Sequence, residues 1–338
     1  MKLIIQIPCF NEEATLPTTV RDLPESIEGV ETIEVQVVDD GSTDRTAEIA
    51  AELGVDHIVR FKQNKGLAAA FEAGVKNAVA EGADILVNTD ADNQYVGSDI
   101  AALVTPIVQD AADVVIGCRP IDDHEEFSWL KKKLQKVGSW VLRKASRTTV
   151  RDAASGFRAY SREALMHLNI FSEFSYTMET LIGAGYHNLK IESVDIGVNP
   201  KTRESRLFRN LPHYIWKSGT TILNIFLLYR SSPFFSLIAS GLLLVGGVLT
   251  LRFLFLVLIQ GARADLFWPS VILAGILLLA SSIVYLTGIL SWLIAANRRL
   301  SEEILYRTKH LEDHQREVTE IKDAIAEIRD RLGEDGRT

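Results

Sequence analysis

Ile85-Leu86-Val87-Asn88-Thr89-Asp90-Ala91-Asp92-Asn93-Gln94 is the stretch whose reading decides the fold. Residues 85–88 read as a short buried strand, which stops at two carboxylates one residue apart. The same pattern recurs on both sides. Residues 3–7 (LIIQI) read as a strand ending at Pro8, after which Asn11-Glu12-Glu13 opens a helix. Residues 33–38 (IEVQVV) run into Asp39-Asp40-Gly41, and Ser42-Thr43-Asp44 caps a helix over 44–53. A strand over 55–60 and an Ala-rich helix over 66–80 precede the quoted stretch. A helix over 99–109 and a strand over 114–117, just before Arg119, follow it. Strands alternating with helices imply a mostly parallel α/β sheet, in which ligands bind at the carboxyl ends of strands. Asn11, Asp39, Asp40, Asp90, Asp92 and Arg119 all fall at such ends, so one site is expected there.

The residue types indicate the chemistry. Asp90 and Asp92 can share a hard divalent cation, Mg2+ or Mn2+, that still accepts phosphate oxygens and makes a nucleoside diphosphate a better leaving group. Asp39 and Asp40 suit base and ribose hydrogen bonds, and Gly41 allows close backbone approach. The alternative is a strand–turn–helix junction whose acids only cap the helix; Asp44 fills that role, and two further acids exceed it. The seven histidines show no metal-ligand spacing. Lys131-Lys132-Lys133 with Lys136 is a solvated face or a lipid-headgroup contact.

The second half of the chain is different in kind. With 47% hydrophobic and 24% charged residues among 338, the apolar excess must be concentrated somewhere. It lies in 234–259, whose single charge is Arg252, and in 267–296, which has none. Each exceeds the roughly 20 apolar residues that span a bilayer; paired core helices are the alternative. Basic residues flank the pair (Arg203, Arg206, Arg209, Lys217 and Arg230 before; Arg298, Arg299, Arg307 and Lys309 after), so both ends are expected in the cytosol. The N-terminus lacks the pattern of a signal peptide, and two cysteines make no disulfide framework. A net charge of −8 excludes nucleic acid as the main partner. Residues 203–232 read as amphipathic helix on the membrane surface, or as an ordinary surface helix. In the tail, Ile304, Leu311, Val318, Ile325 and Leu332 recur every seven residues, while Arg307 and His314 interrupt the second seam. That spacing fits a coiled coil and a homo-oligomer, or equally a helix packed back on its own domain.

Five motifs in order carry a resemblance: PCFNEE (8–13), VVDDGSTD (37–44), NKGLAAAFEAG (64–74), TDADNQ (89–94) and SGFRAYSREAL (155–165). Over about residues 3–232 the chain resembles the family 2 inverting glycosyltransferases of GT-A fold, and within them the dolichyl-phosphate mannose synthases and related polyprenyl-phosphate glycosyltransferases. The resemblance implies a nucleotide-sugar donor contacted by Pro8, Asn11, Glu12, Asp39 and Asp40, with Lys65 in the same set. It implies a metal held by Asp90, Asp92 and Gln94. It also implies that Arg119, Ser155, Arg203, Ser205 and Arg206 face the donor diphosphate or the phosphate of a polyprenyl acceptor lipid, with Asp92, Arg119 and Arg203 in catalytic roles. Arginine suits such phosphates, and an acceptor phosphate is already anionic, so positioning and charge compensation replace a strong base. Glu179 sits where many family members have an acid near the acceptor, or else is a surface ion-pair residue.

The sequence departs from the family in its basic arm, Glu204-Ser205-Arg206, and in its heptad tail. The Gln-x-x-Arg-Trp signature of processive synthases is absent. The expected architecture is therefore α/β: a GT-A domain with a Rossmann-like, mostly parallel sheet (1–202), amphipathic interfacial helices (203–232), two transmembrane helices (233–297) and a cytosolic, coiled-coil-like tail (298–338). The rival readings are a family 2 enzyme with another glycolipid or polysaccharide acceptor, and a nucleotide-sugar-binding scaffold without turnover.

Overall fold

The structure is a computed structural model that describes residues 1–120, 150–153, 155–168, 170, 176–200, 211–261, 263 and 267–335. Seven strands form one sheet: β1 (Lys2–Cys9), β2 (Thr32–Asp39), β3 (His57–Arg60), β4 (Ile85–Asn88), β5 (Val114–Cys118), β6 (Arg158–Ser161) and β7 (Ile191–Asp195). Their order is β3-β2-β1-β4-β6-β5-β7, and only β6 runs against its neighbours. The intervening helices are α1 (Leu16–Arg21), α2 (Thr46–Glu52), α3 (Leu67–Ala80), α4 (Ile100–Val108), α5 (Arg162–His167) and α6 (Tyr176–Tyr186). This is the mostly parallel α/β sheet that the alternation predicts.

β1 is buried along nearly its whole length, as a central parallel strand must be. Side chains alternate across it. Leu3 and Ile5 join Ile85, Val87, Leu103, Val104, Val115 and Phe157 in the core beneath α4. Gln6 points the other way, toward α3. The strand does not stop at Pro8 as the sequence leads one to expect. Gln6 faces β4, whose ladder ends at the Gln6–Asn88 pair, so the missing N–H of Pro8 falls past the last β4 partner. Pairing with β2 continues to Cys9 opposite Asp39.

Under α3 lies a polar chain whose members Gln6, Gln36 and Asn88 are fully buried and whose outer end, Asn77, is half-buried. Gln6 Nε2 donates to Asn88 Oδ1 at 3.0 Å, Gln36 Nε2 donates to Gln6 Oε1 at 3.3 Å, and Asn77 Nδ2 donates to Gln36 Oε1 at 2.8 Å. Buried amides persist only when partnered in this way. Gly74 makes the room: a Cβ there would stand 2.2 Å from Gln6 Oε1 and 2.8 Å from Gln36 Nε2.

The chain divides into two compact units, 1–211 with 302–338, and 212–301. The second unit is helical. α7 (Leu211–Leu254) runs on without a break from the segment expected at the membrane surface into the first apolar stretch, with Pro233 inside it. α8 (Trp268–Asp335) likewise carries the second apolar stretch and the tail as one helix. Two helical spans, Ser232–Ile259 and Trp268–Arg316, are long and apolar enough to cross a membrane. Only 6% and 17% of their most apolar windows are buried, which is not how core helices pack.

Two helical glycines test this packing. Gly74→Ala drives a Cβ into the glutamine pair and lowers stability by about 2 kcal/mol, a fall of roughly 5 °C in Tm. Gly183→Ala in α6 meets nothing within 4 Å and leaves Tm unchanged or slightly raised, by about 0.5 kcal/mol. Thermal melts of the detergent-solubilised protein decide; equal shifts would refute the proposed clash.

Candidate active site

The carboxyl ends of β1, β2, β4 and β5 bring together most of the polar residues singled out in the sequence. The first half of the site is built from two interlocked loops. Asn11, after β1, sits at φ +56, a left-handed backbone that asparagine tolerates. Its Oδ1 accepts the Thr43 amide at 2.8 Å, and its own amide donates to Ser42 Oγ at 3.0 Å. The buried Glu12 donates its amide to Thr46 Oγ1 at 2.9 Å, and its Oε2 accepts the Thr15 hydroxyl at 2.8 Å. Asp44 accepts the Thr46 amide at 3.0 Å, but it stands one residue before the N-cap, which is Arg45, so the capping position expected of Asp44 is not the one it holds.

The adjacent acids Asp39 and Asp40 have separate tasks. Asp40 is buried and both its oxygens are engaged: Oδ1 accepts the Lys65 amide at 2.7 Å and Oδ2 the Gly66 amide at 2.9 Å. It therefore holds the loop before α3 over the strand end. A Cβ on Gly41 (φ +69) would stand 2.4 Å from Gln63 C, so glycine is required where that loop crosses. Lys65 places its Nζ 4.6 Å from the centre of the Phe61 ring. Asp39 is fully buried; its Oδ1 accepts the Ser42 amide at 2.8 Å. Its Oδ2 lies 3.0 Å from Arg60 Nε in an ion pair, yet accepts no aligned hydrogen bond. Of the two acids, Asp39 keeps an acceptor for a ligand.

The second half surrounds Asp90. Burial, and next the neighbouring Asp92, push its carboxyl up to about 6, although Arg119 acts in the opposite direction. Asp92 Oδ1 accepts the Gln94 amide at 3.2 Å, and Asn93 (φ +55) turns the chain between them. Tyr95 brings its hydroxyl to Asp90 and Ser155 and accepts the Gly156 amide at 3.3 Å. A Cβ on Gly156 would lie 2.8 Å from the Tyr176 hydroxyl and 3.3 Å from Asp90 Oδ1, so this glycine lets both groups close on one point. Burial and Asp90 raise both phenols, Tyr95 to about 12, so each keeps its proton at neutral pH.

Arg119 is gripped by Asp152 through two bonds, Nε to Oδ2 at 2.8 Å and Nη2 to Oδ1 at 3.1 Å. Burial, the largest single influence, works against its charge, but Asp152, Tyr95 and Asp90 together outweigh it and move the guanidinium pKa upward. Ser155 is fully buried behind it, its Oγ accepting the Phe157 amide at 3.3 Å. Arg203, Ser205 and Arg206 lie outside the described residues.

Sequence reasoning missed Asp152, Tyr95, Tyr176 and Arg158. Asp152 and Tyr95 flank motifs that were read, three residues before Ser155 and one after Gln94. Arg158 is fully buried and donates to the carbonyls of Ala153, Ser155 and Thr177 and to Thr180 Oγ1, tying Ala153 and Ser155 to α6. Glu179 is 4% exposed, so the surface ion-pair reading fails. Among the described residues no three acids, histidines or cysteines converge. Asp90, Asp92 and Gln94 are thus too few to enclose a cation, but are a donor set suited to a hard one that is shared with phosphate oxygens.

Comparison with known proteins agrees with this geometry. The Glycosyl transferase family 2 profile matches residues 4–168. A UDP-N-acetylglucosamine–dolichyl-phosphate N-acetylglucosaminyltransferase of Methanococcus voltae is 32% identical over 212 residues, 56% of this chain and 82% of that one. A polyprenol monophosphomannose synthase of Mycolicibacterium smegmatis is 30% identical over 176 residues, 50% of this chain and 65% of its own. The glucosyl-3-phosphoglycerate synthase of Mycobacterium tuberculosis, crystallised with Mn2+, UDP and glucosyl-3-phosphoglycerate, superposes with a TM-score of 0.51. That match covers 67% of this chain and 78% of the other at 20% identity, a likeness of fold. With its GT-A-like sheet, its strand-end carboxylates and these relatives, the chain belongs to glycosyltransferase family 2.

Proposed function

We propose that this glycosyltransferase moves a hexose-type sugar from a GDP- or UDP-sugar to the phosphate of a polyprenyl lipid, with inversion. One juxtaposition carries the reading. The carboxylate pair Asp90 and Asp92 stands beside an arginine held rigid by Asp152, in a chain that also has two membrane-length apolar helices. An acceptor phosphate oxygen attacks the anomeric carbon as the bond to the nucleoside diphosphate breaks, and the electron pair leaves with the diphosphate. Asp90, Asp92 and Gln94 would hold Mg2+ or Mn2+, which when bound neutralises that leaving group. Asn11, Glu12 and Asp39, with Pro8 beneath them, form the nucleoside side. Lys65 and Ser155 belong to the same donor set. Arg119 compensates phosphate charge, and the basic segment with Arg203, Ser205 and Arg206 adds to it. No general base is required, because the nucleophile is already an anion. The basic flanks of the two apolar stretches favour both ends of the chain on the cytosolic side.

The tail also supports self-association. Ile304, Leu311 and Val318 are 65%, 64% and 37% exposed along one stripe, and the seven-residue spacing fits a second copy of the same helix. Leu311→Glu should therefore reduce the oligomer to smaller species in light-scattering chromatography; an unaltered mass removes this assignment.

Two measurements test the reaction. Full-length protein in detergent, given labelled UDP- and GDP-sugars with a polyprenyl phosphate and Mn2+, should form a glycolipid. Asp92→Ala should cut its rate roughly 100-fold or more. A folded protein that binds nucleotide but transfers nothing to lipid points to another acceptor. The second measurement uses the raised Asp90 carboxyl. Its folded value of about 6 exceeds the ordinary 3.8, so without a cation this group costs stability increasingly as pH rises through that window. A cation removes that cost and must displace a proton below about pH 6. Mn2+ should therefore raise Tm clearly at pH 7.5 and much less at pH 5, where its apparent affinity falls about tenfold. Equal shifts at both pH values would remove Asp90 from the metal set.

A further inference from the structure

We infer that the start of the tail, Glu302 to Asp313 of α8, is a brace that positions the acceptor side of the catalytic site through α5 and α6. The claim rests on the proposed reaction for what it calls the acceptor side, and on geometry alone for the brace.

Four kinds of contact make the dock. Lys309 Nζ donates to the carbonyls of Leu168 at 2.8 Å and Met166 at 3.3 Å. These lie at the carboxyl end of α5, where a helix leaves carbonyls without internal partners and a cation is favoured. At the other end of α5, Arg162 pairs with Asp313 through both Nε and Nη2, and its Nη1 donates to the Ala83 carbonyl at 2.7 Å. Between them the Tyr306 hydroxyl donates to Glu163 Oε1 at 3.0 Å. The Tyr306 ring stacks on His167 at 4.1 Å and 5°, and the other face of the His167 ring meets His187 at 4.4 Å. His187 directly follows α6, and its amide donates to the Gly183 carbonyl at 2.9 Å. One helix face, with residues at 302, 306, 309 and 313, thus holds both ends of α5 and the far end of α6. Ile304, Leu311 and Val318 occupy the opposite side and stay exposed.

What is held matters because α5 follows β6 without a gap, and β6 begins with Arg158. Arg158 fixes Ala153 and Ser155, which follow Asp152, the partner of Arg119. It also fixes Thr177 and Thr180 on α6. α6 opens with Tyr176, whose hydroxyl accepts Asn88 Nδ2 at 3.2 Å, and carries the buried Glu179. These hydrogen bonds, ion pairs and ring contacts of the tail fall on α5 and on Leu168 just after it, not on β1 or β2. Lys309, Tyr306 and Asp313 are therefore positioning residues for the half of the site that α5 and α6 support.

The test uses full-length protein in detergent and two variants, Lys309→Met, which keeps length but removes the donors, and Lys309→Arg, which restores a donor. Hydrogen exchange should quicken about tenfold over 162–168 and 176–187 in Lys309→Met, with residues 32–60 unchanged. The KM for polyprenyl phosphate should rise about five- to tenfold while the Kd for the nucleoside diphosphate stays constant. Lys309→Arg should recover most of both effects. A general loss of stability would instead lower the active fraction without splitting the two ligands. Unchanged exchange over 162–187, or equal weakening of nucleotide and acceptor, overturns the brace. If the unmodified protein transfers nothing to polyprenyl phosphate, the reaction assigned above fails, and the exchange measurement still decides the brace by itself.

Discussion

Negative charge gathered at the strand ends is the constraint around which the catalytic unit is organised. Asp39, Asp40, Asp90, Asp92 and Asp152 all lie where the sheet brings chain ends close together, and three of the five are almost fully buried. A buried carboxylate persists only with donors or a counter-charge. Asp40 is satisfied by the Lys65 and Gly66 amides and Asp152 by Arg119, whereas Asp39 has the Ser42 amide on Oδ1 and only the Arg60 counter-charge near Oδ2. Asp90 and Asp92 remain a close pair of like charges, and burial first and this repulsion second raise the Asp90 carboxyl. Local hydrogen bonding has thus sorted one acidic cluster into framework and function.

That sorting explains how much the sequence could disclose. Four strands, β1, β2, β4 and β5, are legible because a mostly apolar run gives way to a polar residue, Asn11, Asp39, Asp90 or Arg119, at or just past its end. β6 is not legible: Arg158-Ala159-Tyr160-Ser161 puts a charged residue where the pattern reads solvent, yet Arg158 is fully buried. Its donors are met by the nearby carbonyls of Ala153 and Ser155 and, only after folding, by the Thr177 carbonyl and Thr180 hydroxyl of α6. Asp39 and Asp40 are equivalent in the sequence, and only the crossing of the 63–66 loop separates them. For the tail, an apolar repeat reports the free stripe but not the docked one, because Tyr306, Lys309 and Asp313 dock through polar groups that carry no period.

The two halves of the site are built by different means. The nucleoside half is made of backbone amides locked by short side chains: Asn11 to Thr43, Ser42 to Asn11, Thr46 to Glu12. Such contacts lie within about 35 residues of one another, so the half forms from β1 and β2 with their helices. The half around Asp90 needs β4, the 152–158 segment and α6 at once, at sequence separations of 68 and 88 residues for the two Asn88 bonds. A half assembled from distant pieces depends more on what supports those pieces.

The phenols and the arginine also bear on how the reaction is controlled. An anionic acceptor approaching a diphosphate meets repulsion before it meets a reacting carbon, so charge compensation rather than proton abstraction limits such a step. Tyr95 and Tyr176 stay protonated and supply dipoles beside Asp90 without adding charge. Arg119 is held by two bonds to Asp152, so in the proposed reaction it would cost little reorganisation. Glu179 is buried on α6 between Thr177 and Thr180, the two residues that Arg158 holds, so any charge it carries is placed among framework groups and not at the surface.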